Sequence, residues 1–146
     1  MGFGSPNGNY WRGNDEIHRL TKSRHYKLRV DLEHQMGWYW VEYGVFSVGS
    51  EATNYLLSVG EFTGNTGDML SFHNGQMFTT YDRDNDPWHN PNPLYNNSCA
   101  ILTKGGFWFP GCGYAFVNAV APYFRWWGLP HGHPYLVSCR MSLLCS

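Results

Sequence analysis

One alternating segment, residues 27–33, constrains the fold most. Leucine or valine occupies every second position, and a charged residue stands at each position between them. Successive side chains of a strand point to opposite faces, so this pattern predicts a strand with one buried face and one solvated face. Aromatic and β-branched residues then predict strands within 38–48 and over 55–62. Short turns between these runs favour an antiparallel sheet.

Two short helices are predicted from their first residues. Asn14 is a predicted N-cap, because Asp15 and Glu16 follow it and would face the positive end of a helix over residues 15–21. Asp68 is the predicted cap of a second short helix over residues 69–73. From residue 63 onward glycines and prolines interrupt the pattern, which indicates long ordered loops, where binding sites usually lie.

Composition excludes several classes of protein. Charged residues make up 14% of the sequence and aromatic residues 18%, the opposite of a disordered segment. The net charge is −1 with no long basic run, so no nucleic-acid partner is predicted. No apolar run approaches the ~20 residues of a membrane span, so no membrane insertion is predicted. The common catalytic motifs are also missing, which argues against an enzyme.

Cysteine usage suggests an oxidising compartment. An even number of cysteines in a turn-rich sequence favours disulfides, although free buried thiols are the alternative. Cys99 and Cys112 are spaced to close a loop of about a dozen residues. Cys139 and Cys145 would lie ~20 Å apart on an extended strand and could pair only if the backbone turned back. Asn96 begins the only N-x-[ST] sequon and is the predicted glycosylation site.

An acidic cluster at residues 82–86 is a candidate metal site. Asp82, Asp84 and Asp86 stand at alternate positions and offer the hard oxygen ligands that suit calcium. Pro87 and Pro93 occupy the positions where an EF-hand needs Gly and Glu, so that type of site is excluded. From these residues alone, a solvated acidic turn is an equal alternative.

An aromatic cluster follows two glycines at residues 105–106. Phe107, Trp108 and Phe109 are adjacent and cannot all face inward from one strand. We therefore expect at least one of them to be exposed or to line a pocket. Packing of all three in the core is the alternative.

In this order, the motifs resemble the C-terminal fibrinogen-like domain of ficolins, tachylectins, tenascins, angiopoietins and fibrinogen. The resemblance runs from residue 2 to about residue 118. Its most specific segments are Gly2-Phe3-Gly4, Tyr10-Trp11-Arg12-Gly13-Asn14-Asp15, Leu28-Arg29-Val30-Asp31-Leu32, Phe72-His73-Asn74, Asp82-Arg83-Asp84-Asn85-Asp86 and Gly105-Gly106-Phe107-Trp108-Phe109. It implies one α+β domain with an antiparallel sheet and short helices. Residues 1–80 would form a central sheet subdomain, and residues 81–146 a loop-rich calcium- and ligand-binding subdomain, with no counterpart of the family's N-terminal subdomain before Gly2.

The resemblance also implies site residues. Side chains of Asp84 and Asp86 would bind Ca²⁺, together with backbone oxygens of Trp88 and Asn90. Cys99 and Cys112 match the cysteines that close the neighbouring loop in the family. The family's acetyl-binding pocket implies a ligand-binding set of Phe107, Trp108, Phe109, Cys112 and Gly113. The sequence departs from the family pattern at two places near this site. Gly113 stands where a histidine is usual, and residues 87–98 form an insertion.

The implied function is recognition rather than catalysis. The resemblance suggests a secreted, calcium-dependent lectin of innate-immune type that binds acetylated carbohydrate. A protein-binding domain of the angiopoietin or tenascin kind is the alternative, as is a degenerate or venom paralogue that has lost the sugar pocket and acts on haemostasis or complement. Gly113 and the altered C-terminal third, where the family's late Asn-Trp segment is shortened to something like Phe124-Arg125-Trp126-Trp127, favour these alternatives. The expected partners are acetylated sugars or an extracellular protein, with oligomerisation through an upstream region.

Overall fold

A four-stranded antiparallel sheet forms the centre of the fold. The computed structural model describes residues 3–4, 10–94 and 97–145. With strands numbered in sequence order, the spatial order of this sheet is β10 (Ser138–Cys145), β3 (Tyr26–His34), β4 (Gly37–Val48) and β5 (Leu57–Gly64). The expected α+β class with an antiparallel sheet is confirmed.

Shorter elements surround this sheet in the described ranges. Three two-stranded ribbons pair β1 (Phe3–Gly4) with β2 (Tyr10–Trp11), β6 (Phe78–Thr79) with β7 (Phe107–Trp108), and β8 (Ala115–Phe116) with β9 (Arg125–Trp126). The helices are α1 (Asn14–Ser23) and α2 (Cys99–Thr103), and the 3-10 turns are Glu51–Thr53, Leu70–His73 and Pro130–Gly132. No helix in the described part combines the length and apolar character that a bilayer crossing requires.

Strand β3 confirms the alternation that predicted it. Leu28, Val30 and Leu32 are buried with 2% or less of their surface exposed. They pack with Val41 and Tyr43 of β4 in the core, and Val30 and Val41 face each other across the two strands. Burial of large apolar side chains contributes roughly 1.5–3 kcal/mol each, so this face anchors the sheet.

Helix α1 forms where it was predicted, but its first residue differs. Gly13 is the N-cap, and the predicted cap Asn14 is the first helical residue. The Asn14 side chain accepts a hydrogen bond from the indole N–H of Trp11 at 3.3 Å, and no side-chain hydrogen bond caps this helix. A hydrogen bond connects the helix to the end of β4, where the Val48 amide donates to the Thr21 hydroxyl at 3.2 Å.

The second predicted helix is a short 3-10 turn, Leu70–His73. Asp68 accepts hydrogen bonds from both the backbone amide (3.2 Å) and the hydroxyl (2.6 Å) of Ser71. The Tyr43 hydroxyl also donates to Asp68, at 2.7 Å. The turn is therefore connected to the core of the sheet.

The C-terminal strand corrects the expected division at residue 80. All eight residues of β10 pair with β3, so this segment belongs to the central sheet rather than to the loop-rich region. Met141 and Leu143 alternate along it in the manner of a strand, but the intervening residues weaken that signal. Cys139 and Cys145 lie on this continuous strand and are free thiols, as expected for an extended segment.

Candidate functional site

The aromatic run at residues 107–109 belongs to the core. Phe107, Trp108 and Phe109 are each 2% exposed or less. The Trp108 ring contacts Phe78 at 5.0 Å between centroids, whereas Phe109 contacts Phe116 at 6.4 Å. Because β7 contains only two residues and both of its sides are covered, the rings pack against different neighbours. The expectation that one of them is exposed or lines a pocket is wrong.

His73 lies beneath the segment that follows the second cysteine. Its Nε2 accepts hydrogen bonds from the backbone amides of Tyr114 (3.2 Å) and Ala115 (3.1 Å). With two donors facing Nε2, the ring proton is on Nδ1, which donates to the Trp108 carbonyl at 2.6 Å. Burial lowers the pKa of His73 to about 4, although the Trp108 carbonyl acts in the opposite direction. The neutral ring therefore orients the backbone of residues 114–115, a role that the sequence did not reveal.

Gly113 occupies a position that only glycine tolerates. Its φ of +111° lies in the region that favours glycine, and a Cβ there would lie 2.5 Å from Cε1 of His73 and 2.9 Å from Cδ of Pro110. In this structure the close approach excludes the histidine that the resemblance leads one to expect at this position. The missing side chain also leaves the surface above it open.

An open, mostly apolar groove lies above Gly113. Its volume is about 580 Å³, and its lining consists of Met69, Phe72, Gly113, Tyr114 and Trp127. Phe72, Tyr114 and Trp127 are 54%, 46% and 47% exposed. The rings of Phe72 and Tyr114 are in contact, with centroids 4.6 Å apart. Side chains from the 3-10 turn Leu70–His73 and from the two flanks of the β8–β9 ribbon therefore form one aromatic surface.

Only one member of the predicted ligand-binding set lines this groove. Gly113 does, and Cys112 is its immediate neighbour in sequence, whereas the three aromatic residues of 107–109 form the core. The sequence missed Met69, Phe72, Tyr114 and Trp127, because single apolar residues scattered through loops carry no periodic signal. Phe72 stands within one of the segments that carry the family resemblance, which was the one available indication.

The predicted disulfide is present between Cys99 and Cys112, whose Cα atoms are 5.3 Å apart. Cys99 is fully buried at the start of α2. The bond therefore ties the backbone immediately before Gly113 to the buried end of a helix. It also connects the groove to the acidic loop, because the Cys99 amide donates to a carboxylate oxygen of Asp86 at 3.0 Å.

Two of the three aspartates in the acidic loop interact with each other. Asp84 accepts a hydrogen bond from the Asp86 amide at 3.2 Å, and Asp86 accepts one from the Trp88 amide at 2.9 Å. Burial raises the pKa of Asp86, the bonds from Cys99 and Trp88 oppose this effect, and the nearby Asp84 carboxylate adds to it. Asp82 is engaged elsewhere, since it accepts a hydrogen bond from the Thr80 hydroxyl at 2.7 Å.

The acidic loop supplies some of the oxygen ligands that a cation site requires. In the described ranges, no three His, Cys, Asp or Glu side chains are grouped so that they could hold a metal. Asp84 and Asp86 are nevertheless two neighbouring carboxylates, and neither takes part in the ion pairs that the described residues form. A hard divalent cation favours such oxygen donors, and backbone oxygens would have to complete its coordination. The Asn90 amide donates a hydrogen bond to the Asn97 side chain at 2.7 Å, and the Asn90 carbonyl oxygen is the ligand that the resemblance implies.

The predicted glycosylation site, Asn96, lies outside the described residues. Ser98, the third residue of the same sequon, is buried, with 1% of its surface exposed. Glycosylation of Asn96 stays a prediction.

Comparison with known proteins identifies the family. The family described as fibrinogen beta and gamma chains, C-terminal globular domain, matches residues 1–128. Fibrinogen-like protein A of Apostichopus parvimensis is 35% identical over 152 residues, which cover 97% of this chain and 51% of the relative. Angiopoietin-related protein 7 of Mus musculus is 43% identical over 127 residues, which cover 86% of this chain and 35% of the relative. The sequence thus spans about half or less of the length of these curated relatives.

The architecture agrees with the sequence comparison. The solved fibrinogen-like globe domain of human ANGPTL2 superimposes with a TM-score of 0.84 at 32% identity, over 99% of this chain and 69% of that one. The match covers the central sheet, the groove and the acidic loop alike. The protein therefore belongs to the family of C-terminal globular domains found in the fibrinogen beta and gamma chains.

Proposed function

We propose that this protein is an extracellular recognition domain, without enzymatic activity, that binds a protein ligand in the apolar groove. The observation that carries the proposal is the cluster of three half-exposed rings, Phe72, Tyr114 and Trp127, around Gly113. Exposed aromatic clusters in a concave surface mark binding sites, and aromatic residues dominate the binding energy of protein interfaces.

The groove is held in shape before any ligand arrives. The disulfide fixes Cys112 on one side of Gly113, and His73 orients the amides of Tyr114 and Ala115 on the other. A site that is ordered in advance loses less conformational entropy on binding. This arrangement supports a binding role for the segment rather than a purely structural one.

The lining favours an apolar protein side chain over a sugar ring. None of the five lining residues is charged, and their only strong side-chain hydrogen-bonding groups are the Tyr114 hydroxyl and the Trp127 indole N–H. Sugar hydroxyls lose hydration unless the site supplies polar partners. The similarity to angiopoietin-related proteins supports the same choice. Acetylated carbohydrate is the second candidate, because the groove lies directly after the second cysteine, where the family resemblance implies an acetyl pocket.

We also propose that Asp84 and Asp86 hold Ca²⁺, with backbone oxygens of Trp88 and Asn90 completing the site. A bound cation would neutralise both carboxylates and so remove the Asp84 repulsion that adds to the effect of burial on the pKa of Asp86. Because Asp86 also accepts a hydrogen bond from the Cys99 amide, the cation would stabilise the loop beside the disulfide. The disulfide supports an extracellular location.

Two small probes test which ligand enters the groove. N-formyl-L-phenylalaninamide mimics an apolar residue within a protein and carries no acetyl group, and N-acetylglucosamine mimics an acetylated sugar. Each is titrated into the ¹⁵N-labelled protein while the tryptophan indole and Tyr114 amide NMR signals are followed. We expect the aromatic amide to shift the signals of Trp127 and Tyr114 in a saturable manner.

Matched variants locate the binding. Tyr114→Ala should weaken binding of the aromatic amide at least fivefold, whereas Tyr81→Ala, an exposed tyrosine that is not part of the groove lining, should leave binding unchanged. Binding of N-acetylglucosamine alone would favour the sugar candidate. Binding of neither probe would reject the groove as the ligand site.

A further inference from the structure

We infer that Arg125 makes the groove selective for an acidic peptide ligand, one that presents a carboxylate next to a large apolar side chain. This inference rests on the proposed function of the groove. Arg125 is the first residue of β9, two positions before Trp127 of the groove lining. The pair therefore places a cation at the border of an apolar surface.

Three aromatic rings surround the Arg125 guanidinium. Its central carbon lies 5.1 Å from the ring centroid of Tyr135, 5.3 Å from that of Tyr123 and 5.5 Å from that of Trp127. The Nε–H donates to the Pro122 carbonyl at 2.7 Å. Cation–π attraction and this hydrogen bond hold the side chain in one place, so little of its flexibility remains to be lost on binding a ligand.

The charge of Arg125 has no acidic partner in the described part of the protein. The ion pairs there involve the cations of Arg12, Arg19, Lys27, Arg29 and Arg83. The single hydrogen bond of the Arg125 side chain uses Nε and leaves both terminal nitrogens for a ligand. A guanidinium presents these donors as a planar fork that matches the two oxygens of a carboxylate.

The groove lining adds no opposing charge, because it contains no acidic side chain. A ligand carboxylate at Arg125 would therefore meet attraction without competition from within the site. The apolar part of the same ligand would contact the Trp127 ring, which touches the guanidinium and also forms part of the groove lining. Both features together point to an aromatic or large aliphatic residue accompanied by a carboxylate.

Two probes that differ in one group test the inference. N-acetyl-L-phenylalanine carries a carboxylate at neutral pH, and N-acetyl-L-phenylalaninamide is its neutral counterpart. We expect the carboxylate to bind the wild-type protein about three- to tenfold more tightly at low ionic strength, and added salt to remove most of that difference. This comparison needs no variant, so it does not depend on whether a substitution folds.

Two variants assign the effect to Arg125. Arg125→Gln should bind both probes equally, because the charge and the fork are lost. Arg140→Gln removes one positive charge from an exposed position on β10 and should keep the preference. Equal binding of the two probes to the wild type, or a preference that survives in Arg125→Gln, would overturn the inference while leaving the groove as a ligand site. Failure of both probes would instead reject the proposed function itself.

Discussion

Acidification should destabilise the backbone of residues 114–115, beneath the groove, through protonation of His73. In its neutral form Nε2 accepts the amides of Tyr114 and Ala115. Protonation adds a hydrogen to Nε2, which then faces the two backbone N–H donors. The charged ring therefore loses both hydrogen bonds inside a buried site. The sequence motif around His73 gave no indication of this coupling.

The size of the effect follows from the pKa. The pKa of His73 is about 4 in the folded protein, against about 6.5 in the unfolded state. Between these values the unfolded state binds more protons, so the free energy of unfolding falls as the pH falls. The contribution is fully present above pH ~6.5 and is lost progressively as the pH approaches ~4. A difference of about 2.5 in pKa corresponds to about 3 kcal/mol.

Urea unfolding of the wild type and of His73→Gln, at neutral pH and near pH ~4.5, measures this contribution. Carboxylates titrate in both proteins, so the difference between their pH dependences isolates His73. We expect the wild type to lose about 2–3 kcal/mol more than the variant over this range. The exposed His89 provides a control, since His89→Gln should retain the wild-type pH dependence. Equal losses in the wild type and His73→Gln would refute the reasoning.

Three further predictions concern the acidic loop, the groove and the disulfide. Millimolar calcium should raise the melting temperature of the wild type but not of Asp84→Asn, and a wild-type curve indifferent to both calcium and chelator would contradict the proposed site. Gly113→Ala should lower the free energy of unfolding by over ~1 kcal/mol more than Gly75→Ala does, because both glycines have a positive φ but only at Gly113 would a Cβ meet neighbouring atoms. Equal losses in urea unfolding would count against the clash. Alkylation of the unfolded protein without reductant should label two thiols, both on β10, and reducing Cys99–Cys112 should cost about 3 kcal/mol in denaturant unfolding. Labelling of four thiols would show that the bond does not form.

Local periodicity and short motifs determined the parts of this protein that were predicted correctly. The alternation in residues 27–33 predicted β3, because strand geometry alone sends successive side chains to opposite faces. The spacing of Cys99 and Cys112 and the run of family motifs likewise indicated the disulfide that lies next to Gly113. The strand and the disulfide spacing depend on residues that are close in the sequence, and each family motif is itself a short segment.

Tertiary structure alone decided which surface could bind a ligand. The sequence predicted that at least one side chain of residues 107–109 is exposed or lines a pocket. Their burial depends on the segments that cover both sides of β7, and these segments are distant in the sequence. Asn14 is a residue type typical of N-caps, but the helix begins one residue earlier than predicted, and the Asn14 side chain accepts a hydrogen bond from the indole of Trp11. The groove combines Phe72 from a 3-10 turn with Tyr114 and Trp127 beside the β8–β9 ribbon, and no sequence pattern connects them. Their common surface exists because the ribbon, the buried His73 and the disulfide bring those segments together.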